Sequence, residues 1–355
     1  MRVIAYYLPQ FHAIPENDQW WGKGFTEWTS VKAAQPLFKG HQQPVVPGVL
    51  GYYNLMDANV RERQAQLAQE AGVEGFCYWH YWFAGKQLLE KPLQEVLAEK
   101  KPNFPFCIGW ANESWKSKVW GDKSGQQDTI LIEQTYPDGD TEAHFKAILP
   151  ILQDKRYITV DGKPLLVIYR PFQLPNPQQT LKKWRDLASK NGLKGLHIVG
   201  HTLYSTDVNN ILQMGFDAVN VFRLGDCKRN KNLMLQHIKS LILFALHKEP
   251  LVYDYKKSLP IWIGEESTAT NVYPCLIPRW DHTPRSGKTG FVLHGSTPEL
   301  FRQHIQQIKQ SIAHKPQDKQ IVFLKSWNEW GEGNYVEPDQ QYGNAYLEAL
   351  KEVLQ

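Results

Sequence analysis

Two glutamates, Glu329 and Glu332, have the types and spacing that most strongly suggest chemistry. They follow an apolar run typical of a strand, and Gly331 and Gly333 beside them let the backbone turn so that both carboxylates face one pocket. Cleavage of a glycosidic bond commonly uses two carboxyl groups, one as acid and the other as base or nucleophile. Two solvated loop acids are the alternative, and the flanking tryptophans favour catalysis.

Aromatic and polar residues also follow several other apolar runs. The chain has 13 Trp and 16 Tyr, and rings with a polar edge suit the faces and hydroxyl rims of sugars. We predict that the substrate is bound by Tyr7, Gln10, His12, Trp28, Trp79, His80, Tyr81, Trp110, Asn112, Glu113, His201, Trp280, Asp281, Trp327, Asn328 and Trp330. Glu27 could line the same pocket, Glu113 is a rival catalytic acid, and Trp115 and Trp120 are candidate sugar platforms.

The apolar runs alternate with helical patterns along all 355 residues. Eight runs read as strands: Val3–Leu8, Val73–Trp79, Phe104–Trp110, Leu165–Tyr169, Leu196–His201, Ala218–Phe222, Pro274–Ile277 and Ile321–Ser326. Strands that are apolar throughout and separated by helices indicate a parallel sheet covered on both faces. The count favours an α/β fold, a single (β/α)8 TIM-type barrel with extended loops at the strand ends, spanning residues 1–355 as one domain.

Two segments carry a resemblance to known families. The segment Asn328–Gly333 resembles the Asn-Glu-Trp-His-Glu-Gly signature of glycoside hydrolase family 99, the endo-α-1,2-mannosidases and mannanases. The segments Ala5–His12 and Gly24–Trp28 resemble the WbsX-type proteins, which carry a family 99-like barrel. Those proteins are found with polysaccharide and O-antigen genes and are often labelled glycosyltransferases. The likeness runs from Val3 to about Pro338.

The family 99 resemblance implies a mechanism. Glu332 would be the acid/base that protonates the leaving oxygen, and Glu329 the base that takes the proton of the sugar's own 2-hydroxyl. This route passes through a 1,2-anhydro sugar and retains configuration. Gly331 stands where the mannosidases have His, which implies that a contact near the two acids is missing and leaves the substrate open.

Other classes of site have weaker signals. The net charge of +4 is too mild to indicate nucleic acid, and the four cysteines form no C-x-x-C pair that would suggest a zinc site. Asp138 and Asp140 match the D-x-D pattern of metal-dependent transferases, but turn and capping chemistry explains them, so no metal and no cofactor is predicted. Arg285 begins a loop over the site and is expected to meet an anionic or sugar group.

The basic stretch 227–257 allows two interpretations. Its lysines and the apolar Leu241–Leu246 suit peripheral contact with an anionic membrane surface, or the sixth barrel helix with a solvated face, which we favour. No signal peptide or membrane span is visible, so a cytoplasmic protein is expected.

Three functions remain. The first is a retaining, endo-acting hydrolase of a bacterial-type polysaccharide. The second is a transferase or transglycosylase of surface-polysaccharide (lipopolysaccharide O-antigen) assembly, and the third is a carbohydrate-binding barrel without catalysis. The presence of both acids, and no visible Rossmann layout, favour hydrolysis.

Overall fold

Eight parallel strands close into a barrel in the computed structural model, which describes residues 1–117, 129–247 and 249–355. The barrel strands, in chain order, are β1 (Arg2–Tyr7), β2 (Gly75–Phe83), β3 (Phe106–Trp110), β4 (Lys163–Ile168), β5 (His197–Thr202), β6 (Ala218–Val221), β7 (Val272–Leu276) and β8 (Ile321–Leu324). Each strand pairs with the next, and β1 closes the ring by pairing with β8, Arg2 beside Ile321. The predicted (β/α)8 fold is confirmed, and every predicted strand overlaps one of the eight.

Twelve α-helices lie in the described part of the chain. They are α1 (Pro15–Trp21), α2 (Glu27–Ala33), α3 (Ala58–Glu70), α4 (Lys91–Glu99), α5 (Asp140–Leu152), α6 (Pro177–Lys190), α7 (Val208–Gln213), α8 (Met234–His247), α9 (Tyr255–Ser258), α10 (Thr283–Ser286), α11 (Pro298–Ile312) and α12 (Ala345–Leu354). Two helices begin with a side-chain cap: the side chain of Asp57 accepts from the amide of Asn59 before α3, and that of Thr297 accepts from the amide of Leu300 in α11.

Extended loops at the strand ends hold the short elements. The connection from β1 to β2 carries α1 and α2 before the barrel helix α3. The connections around β7 form a three-stranded sheet from Leu251–Asp254, Phe291–His294 and Trp280–Asp281. Because these additions follow the carboxyl ends of β1, β6 and β7, they gather at the end where barrel enzymes place their sites.

Alternation along the strands decides which side chains enter the barrel. In β1, Tyr6 points inward, stacks on Trp79 at 4.6 Å between ring centroids, and donates to Asn220. Its neighbour Tyr7 points outward and donates a hydrogen bond to Gln64 of α3. Successive strand residues face opposite sides of a sheet, so the two tyrosines serve different layers.

Candidate active site

A cavity of about 910 Å³ opens at the carboxyl ends of the barrel strands. Of the predicted residues, its wall includes Gln10, Trp79, Tyr81, Glu113, His201, Trp280, Glu329 and Glu332. It also includes Glu27, Trp115, Tyr169, Arg170, Phe222, His282, Arg285 and Lys325. The cavity therefore combines aromatic faces with carboxylates and cations, the surfaces that sugar rings and hydroxyls require.

Arg285 is the centre of the site. Its guanidinium donates to Glu329 Oε1 at 2.6 Å, to Glu332 Oε1 at 2.7 Å and to Glu27 Oε2 at 3.0 Å. Both candidate catalytic carboxylates thus face one space and share one cation. The expected anionic partner of Arg285 is supplied by the protein's own carboxylates.

Asp281 fixes the start of the loop that holds Arg285. One carboxylate oxygen of Asp281 accepts from His41 at 2.7 Å and from Gln43 at 2.6 Å. The other accepts from the backbone and hydroxyl of Thr283, which begins α10. Asp281 therefore positions the arginine and does not itself line the cavity.

The three carboxylates around Arg285 have different environments. Burial would raise the pKa of Glu332, but the charge of Arg285 and the hydrogen bond from His282 hold it well below its ordinary value. Burial raises the pKa of Glu27, the charge of Arg285 lowers it, and the charge of Glu329 raises it further, with a net increase. Carboxyl groups with opposite shifts in one pocket are the arrangement that acid–base catalysis uses.

Lys325 brings a second cation to the cavity. Its ammonium lies 5.5 Å from the ring centroid of Trp79, 5.7 Å from Tyr6 and 5.8 Å from Phe222. The charge of Lys325 contributes to the lowered pKa of Glu332. It therefore helps to keep that carboxylate ionised in the free protein.

Gly331 is explained by the same cluster. A Cβ atom at this position would lie 2.0 Å from Glu27 Oε2 and 2.9 Å from Arg285 Nε. Glu27 and Arg285 fill the space beside Gly331, where the resemblance implies that a histidine contact is missing. Glycine is required here because a side chain would displace the carboxylate.

This explanation predicts a coupled mutational effect. We expect Gly331→Ala to lower the melting temperature, and Glu27→Ala to relieve much of that cost because it removes the clashing carboxylate. The coupling free energy should be about 1–3 kcal/mol, as for residues in direct contact. A double-mutant cycle in urea measures it, and additive effects of the two changes would contradict the explanation.

Ten predicted residues lie outside the cavity wall: Tyr7, His12, Trp28, His80, Trp110, Asn112, Asp281, Trp327, Asn328 and Trp330. The structure places these residues away from the cavity wall, and each packs or hydrogen-bonds elsewhere, so their contact with substrate stays a prediction. Tyr7 and Asp281 have the partners given above. His12 is buried and its Nδ1 lies 2.9 Å from the Pro9 carbonyl oxygen.

Two of the ten, His80 and Trp110, are outward-pointing strand residues, and Asn112 follows the end of β3. Nε2 of His80 lies 2.9 Å from Nε2 of His144 in α5, and burial lowers the pKa of His80 to about 4. The ring of Trp110 packs on His144 and on Trp184 of α6. Asn112 donates to the backbone carbonyl of Arg170 and accepts from its amide, which ties β3 to β4.

The remaining four hold the loop that carries the acids. Asn328 accepts from the amide of Leu8 and donates to its carbonyl, so it joins this loop to the end of β1. Trp327 packs against Phe76. Trp28 donates to the Tyr53 carbonyl and packs on Trp330, at 5.4 Å between ring centroids.

Glu337 is a buried carboxylate beneath this loop. It accepts from Trp330 at 2.6 Å, Gln64 at 2.6 Å and Tyr53 at 2.8 Å. These donors favour the ionised form, but burial outweighs them and raises the pKa of Glu337 to about 7. The group therefore supports Trp330 while being costly to ionise.

We expect Glu337→Gln to lower the free energy of unfolding by about 1–3 kcal/mol, because an amide cannot accept all three hydrogen bonds. The pKa of Glu337 is higher in the fold than its ordinary value of 4.5, so the wild type loses stability as the pH rises from 4.5 through 7. The stability difference between wild type and variant should shrink over that interval. Urea unfolding at pH 5 and pH 8 measures it, and a constant difference would contradict the raised pKa.

Several other residues singled out in the sequence also have defined positions. Glu113 lines the cavity and forms an ion pair with Arg170 at 2.8 Å. Trp115 also lines the cavity, whereas Trp120 lies outside the described residues. Within the described ranges, no group of three or more His, Cys, Asp or Glu residues is arranged to hold a metal ion. All four cysteines are buried thiols.

The fold is a (β/α)8 barrel with an acid-lined cavity at the carboxyl ends of its strands. The chain belongs to the family described as "Glycosyltransferase WbsX", whose model matches residues 3–350. It is 37% identical over 354 residues to a protein called "Uncharacterized protein WxcX" from Xanthomonas campestris pv. campestris strain B100. A second WxcX protein, from strain ATCC 33913, is 36% identical over 359 residues. The match covers 99% of this chain and 49% of each relative, so the chain spans about half their length.

Solved structures are similar in fold. A protein titled "Glycoside hydrolase-like protein" superposes with a TM-score of 0.61 at 15% identity, covering 100% of this chain and 94% of that one. The GH99 endo-alpha-mannosidase from Bacteroides thetaiotaomicron superposes with a TM-score of 0.59 at 14% identity, covering 99% and 95%. The expected resemblance to WbsX-type proteins with a family 99-like barrel is confirmed.

Proposed function

We propose that this protein is a retaining, endo-acting glycoside hydrolase that cleaves a polysaccharide of the bacterial surface or O-antigen type. The observation that supports the proposal is that Arg285 donates hydrogen bonds to both Glu329 and Glu332 at the wall of the cavity. The volume of about 910 Å³ is near the upper end of ordinary ligand pockets, about 300–1,000 Å³. A cleft of that size with several aromatic faces suits more than one sugar ring.

The proposed roles follow the family 99 pattern. Glu329 takes the proton of the 2-hydroxyl, whose oxygen attacks the anomeric carbon while Glu332 protonates the leaving oxygen. The resulting 1,2-anhydro sugar is opened by water, which gives a proton to Glu332 while Glu329 returns its proton to the 2-oxygen. Two displacements at the anomeric carbon retain its configuration.

Glu332 has to gain a proton before these reaction steps can begin. The lowered pKa of Glu332 means that it is a carboxylate at neutral pH, whereas a general acid needs a proton. We infer that substrate binding draws Arg285 away from Glu332, so that the pKa of Glu332 rises. Glu27, whose pKa is raised and which already contacts Arg285, stands ready to retain the guanidinium or supply a proton.

A digestion panel tests the proposal. Purified protein is incubated with bacterial surface polysaccharides and α-mannans without any nucleotide sugar, and new reducing ends are measured. Cleavage into oligosaccharides supports endo-hydrolysis. Release of single sugars alone would contradict endo action, and no cleavage, with transfer only when a nucleotide sugar is added, would contradict hydrolysis.

A glycosyltransferase or transglycosylase is the second candidate, favoured by the description of the family to which the chain belongs. The same two acids would serve a transglycosylase, because a second sugar can replace water in opening the intermediate. A binding barrel without catalysis is the third candidate, and retention of both Glu329 and Glu332 at the cavity wall counts against it. The products distinguish the three.

We further propose that residues 1–355 act as one catalytic unit whose partner is the glycan. The cavity wall draws on residues from Leu8 through Glu332, so a segment that lacks either end of that range would not contain the whole wall. No helix in the described ranges has the length and hydropathy to cross a membrane.

A further inference from the structure

Helix α8 presents an apolar face to solvent. Its outward residues are Met234, Leu235, Ile238, Leu241, Ile242, Phe244 and Leu246, with exposed fractions from 40% for Phe244 to 82% for Leu235. The stretch forms a helix between β6 and β7 with a solvated face, as expected, and the side chains on that face are apolar. Contiguous apolar surface of this kind marks a place where a soluble protein meets another phase or partner.

The inward side of α8 is the polar one. Ser240 donates to the carbonyl of Val252 at 2.7 Å, and Gln236 accepts from the amide of Asp254. His237 shares a hydrogen bond with the hydroxyl of Tyr253. These contacts tie the helix to the strand Leu251–Asp254 and fix its rotation, so the apolar face is held outward by the fold.

The barrel helices show the opposite arrangement. In α11, Phe301, Ile305, Ile308 and Ile312 are fully buried against the barrel. A helix normally turns its apolar stripe to the core and its charges to water. The reversal in α8 means that its apolar stripe has no partner among the described residues.

Basic side chains surround the apolar face. Between residues 226 and 257 the sequence has seven basic and three acidic residues. Lys239 lies on the exposed side of α8 itself, Lys228 and Lys231 precede the helix, and Lys256 and Lys257 follow the strand that supports it; all five are exposed. An exposed apolar helical face bordered by lysines is the chemistry of a surface that lies on anionic lipid.

The position of α8 relates this surface to the active site. The helix packs on the sheet whose edge strand Trp280–Asp281 supplies Trp280 to the cavity wall. The loop leading into α8 supplies Phe222 and Leu224 to the same wall. The apolar face and the cavity therefore belong to the same group of strand-end loops.

We propose that the outward face of α8, with its bordering lysines, docks this protein on an anionic lipid surface. The apolar side chains enter the boundary between headgroups and acyl chains, and the lysines meet the lipid phosphates. Neither a second copy of this chain nor a neutral surface would use the excess of lysines. The proposal is independent of the reaction that the cavity catalyses.

Flotation with liposomes tests the docking surface. Protein is mixed with vesicles of phosphatidylcholine alone, or with 30% phosphatidylglycerol, a proportion of about one lipid in three chosen to give a strong negative potential. We expect at least about tenfold more bound protein on the anionic vesicles, with a decrease at high salt. Equal binding to both vesicles, or none, would overturn the proposal.

Variants locate the contact. Leu235→Glu with Leu246→Glu changes two side chains that are 82% and 71% exposed, so the fold should remain intact and binding should fall at least about tenfold. Lys256→Glu with Lys257→Glu should reduce binding while leaving the apolar face unchanged. Val49→Glu is the matched control, because Val49 is 71% exposed and lies outside this surface. The proposal would be overturned if the double variant of Leu235 and Leu246 bound vesicles as well as the wild type does. It would also be overturned if the wild type bound no vesicles but formed dimers that the double variant does not form.

Discussion

Glu329→Gln and Glu332→Gln are each expected to reduce kcat/KM on the cleaved glycan by about 10³–10⁴-fold, with glycan binding largely retained. General acid–base groups contribute about 10²–10⁴-fold, and here each acid also participates in forming or opening the intermediate. Glutamine keeps the shape of the side chain and can still accept from Arg285. The measurement is kcat/KM beside a dissociation constant for an oligosaccharide product.

Glu113→Gln is the matched control for this prediction. Glu113 is a carboxylate in the same cavity, but it forms an ion pair with Arg170 and not with Arg285. Its replacement should reduce kcat/KM by less than about tenfold, because KM rises while kcat is unchanged. A loss at Glu113 as large as that at Glu332, or full activity of either of the first two variants, would contradict the assignment of the acids.

Arg285→Met is expected to lower the free energy of unfolding at pH 7 by about 3–5 kcal/mol. Removing one partner of a buried ion pair leaves the other charge uncompensated, and here three carboxylates lose their shared cation. Glu332 has a pKa in the fold below its ordinary value of 4.5, so its pairing stabilises the protein above that pH. That contribution is lost as the pH falls through the lower value. The difference between wild type and variant should therefore narrow as the pH falls below 4.5.

The same change should alter the pH dependence of catalysis. Without the guanidinium, the pKa of Glu332 rises, and the alkaline limb of the kcat/KM profile, where the general acid loses its proton, moves to higher pH. Arg285→Lys keeps one positive charge but not the three-way geometry, and should show a smaller displacement. It also provides a folded variant if Arg285→Met is too unstable to purify.

Arg279→Met is the control for a purely structural arginine. Arg279 is buried, donates to Asp339 at 2.7 Å and packs on the ring of Tyr346. Its loss should destabilise the fold by a similar amount without moving the pH profile of kcat/KM. An unchanged profile in Arg285→Met, or the same displacement in Arg279→Met, would contradict the role of Arg285 in tuning the acids.

The strands were predictable because each is a short apolar run buried on both sides. Fully buried strands have few alternatives once helical patterns separate them, and β2 and β3 lie close to their predicted positions. Short helices such as α7, with six residues, carry too little periodic signal to be predicted. Helices α1 and α2, with seven residues each, have the same weakness and lie in a loop where no strand marks their place.

The site was only partly predictable. Applying the two-residue period to Trp79, His80 and Tyr81 would have separated the inward Trp79 and Tyr81 from the outward His80. Choosing residues only because they follow a strand, without considering this alternation, selects both those that face the cavity and those that face the surrounding helices. Asn328 and Trp330 show a second limit, because residues beside a catalytic acid often hold its loop.

The Arg285 cluster could not be derived from one sequence. Arg285 and Glu27 are 258 positions apart, on loops after β7 and β1, and no local pattern links them. Only closure of the barrel brings those loops together. Gly331 was the one local signal, and its meaning depends on knowing that Glu27 occupies the adjacent space.

The anomeric configuration of the first product tests the central proposal most directly. Once a cleaved glycan is found, proton NMR during the first minutes of digestion records the anomer released, before mutarotation mixes the forms. We expect the wild type to retain the substrate's configuration, and we expect Glu329→Gln and Glu332→Gln to show no turnover. Release of the inverted anomer, or retained activity in either variant, would contradict the mechanism.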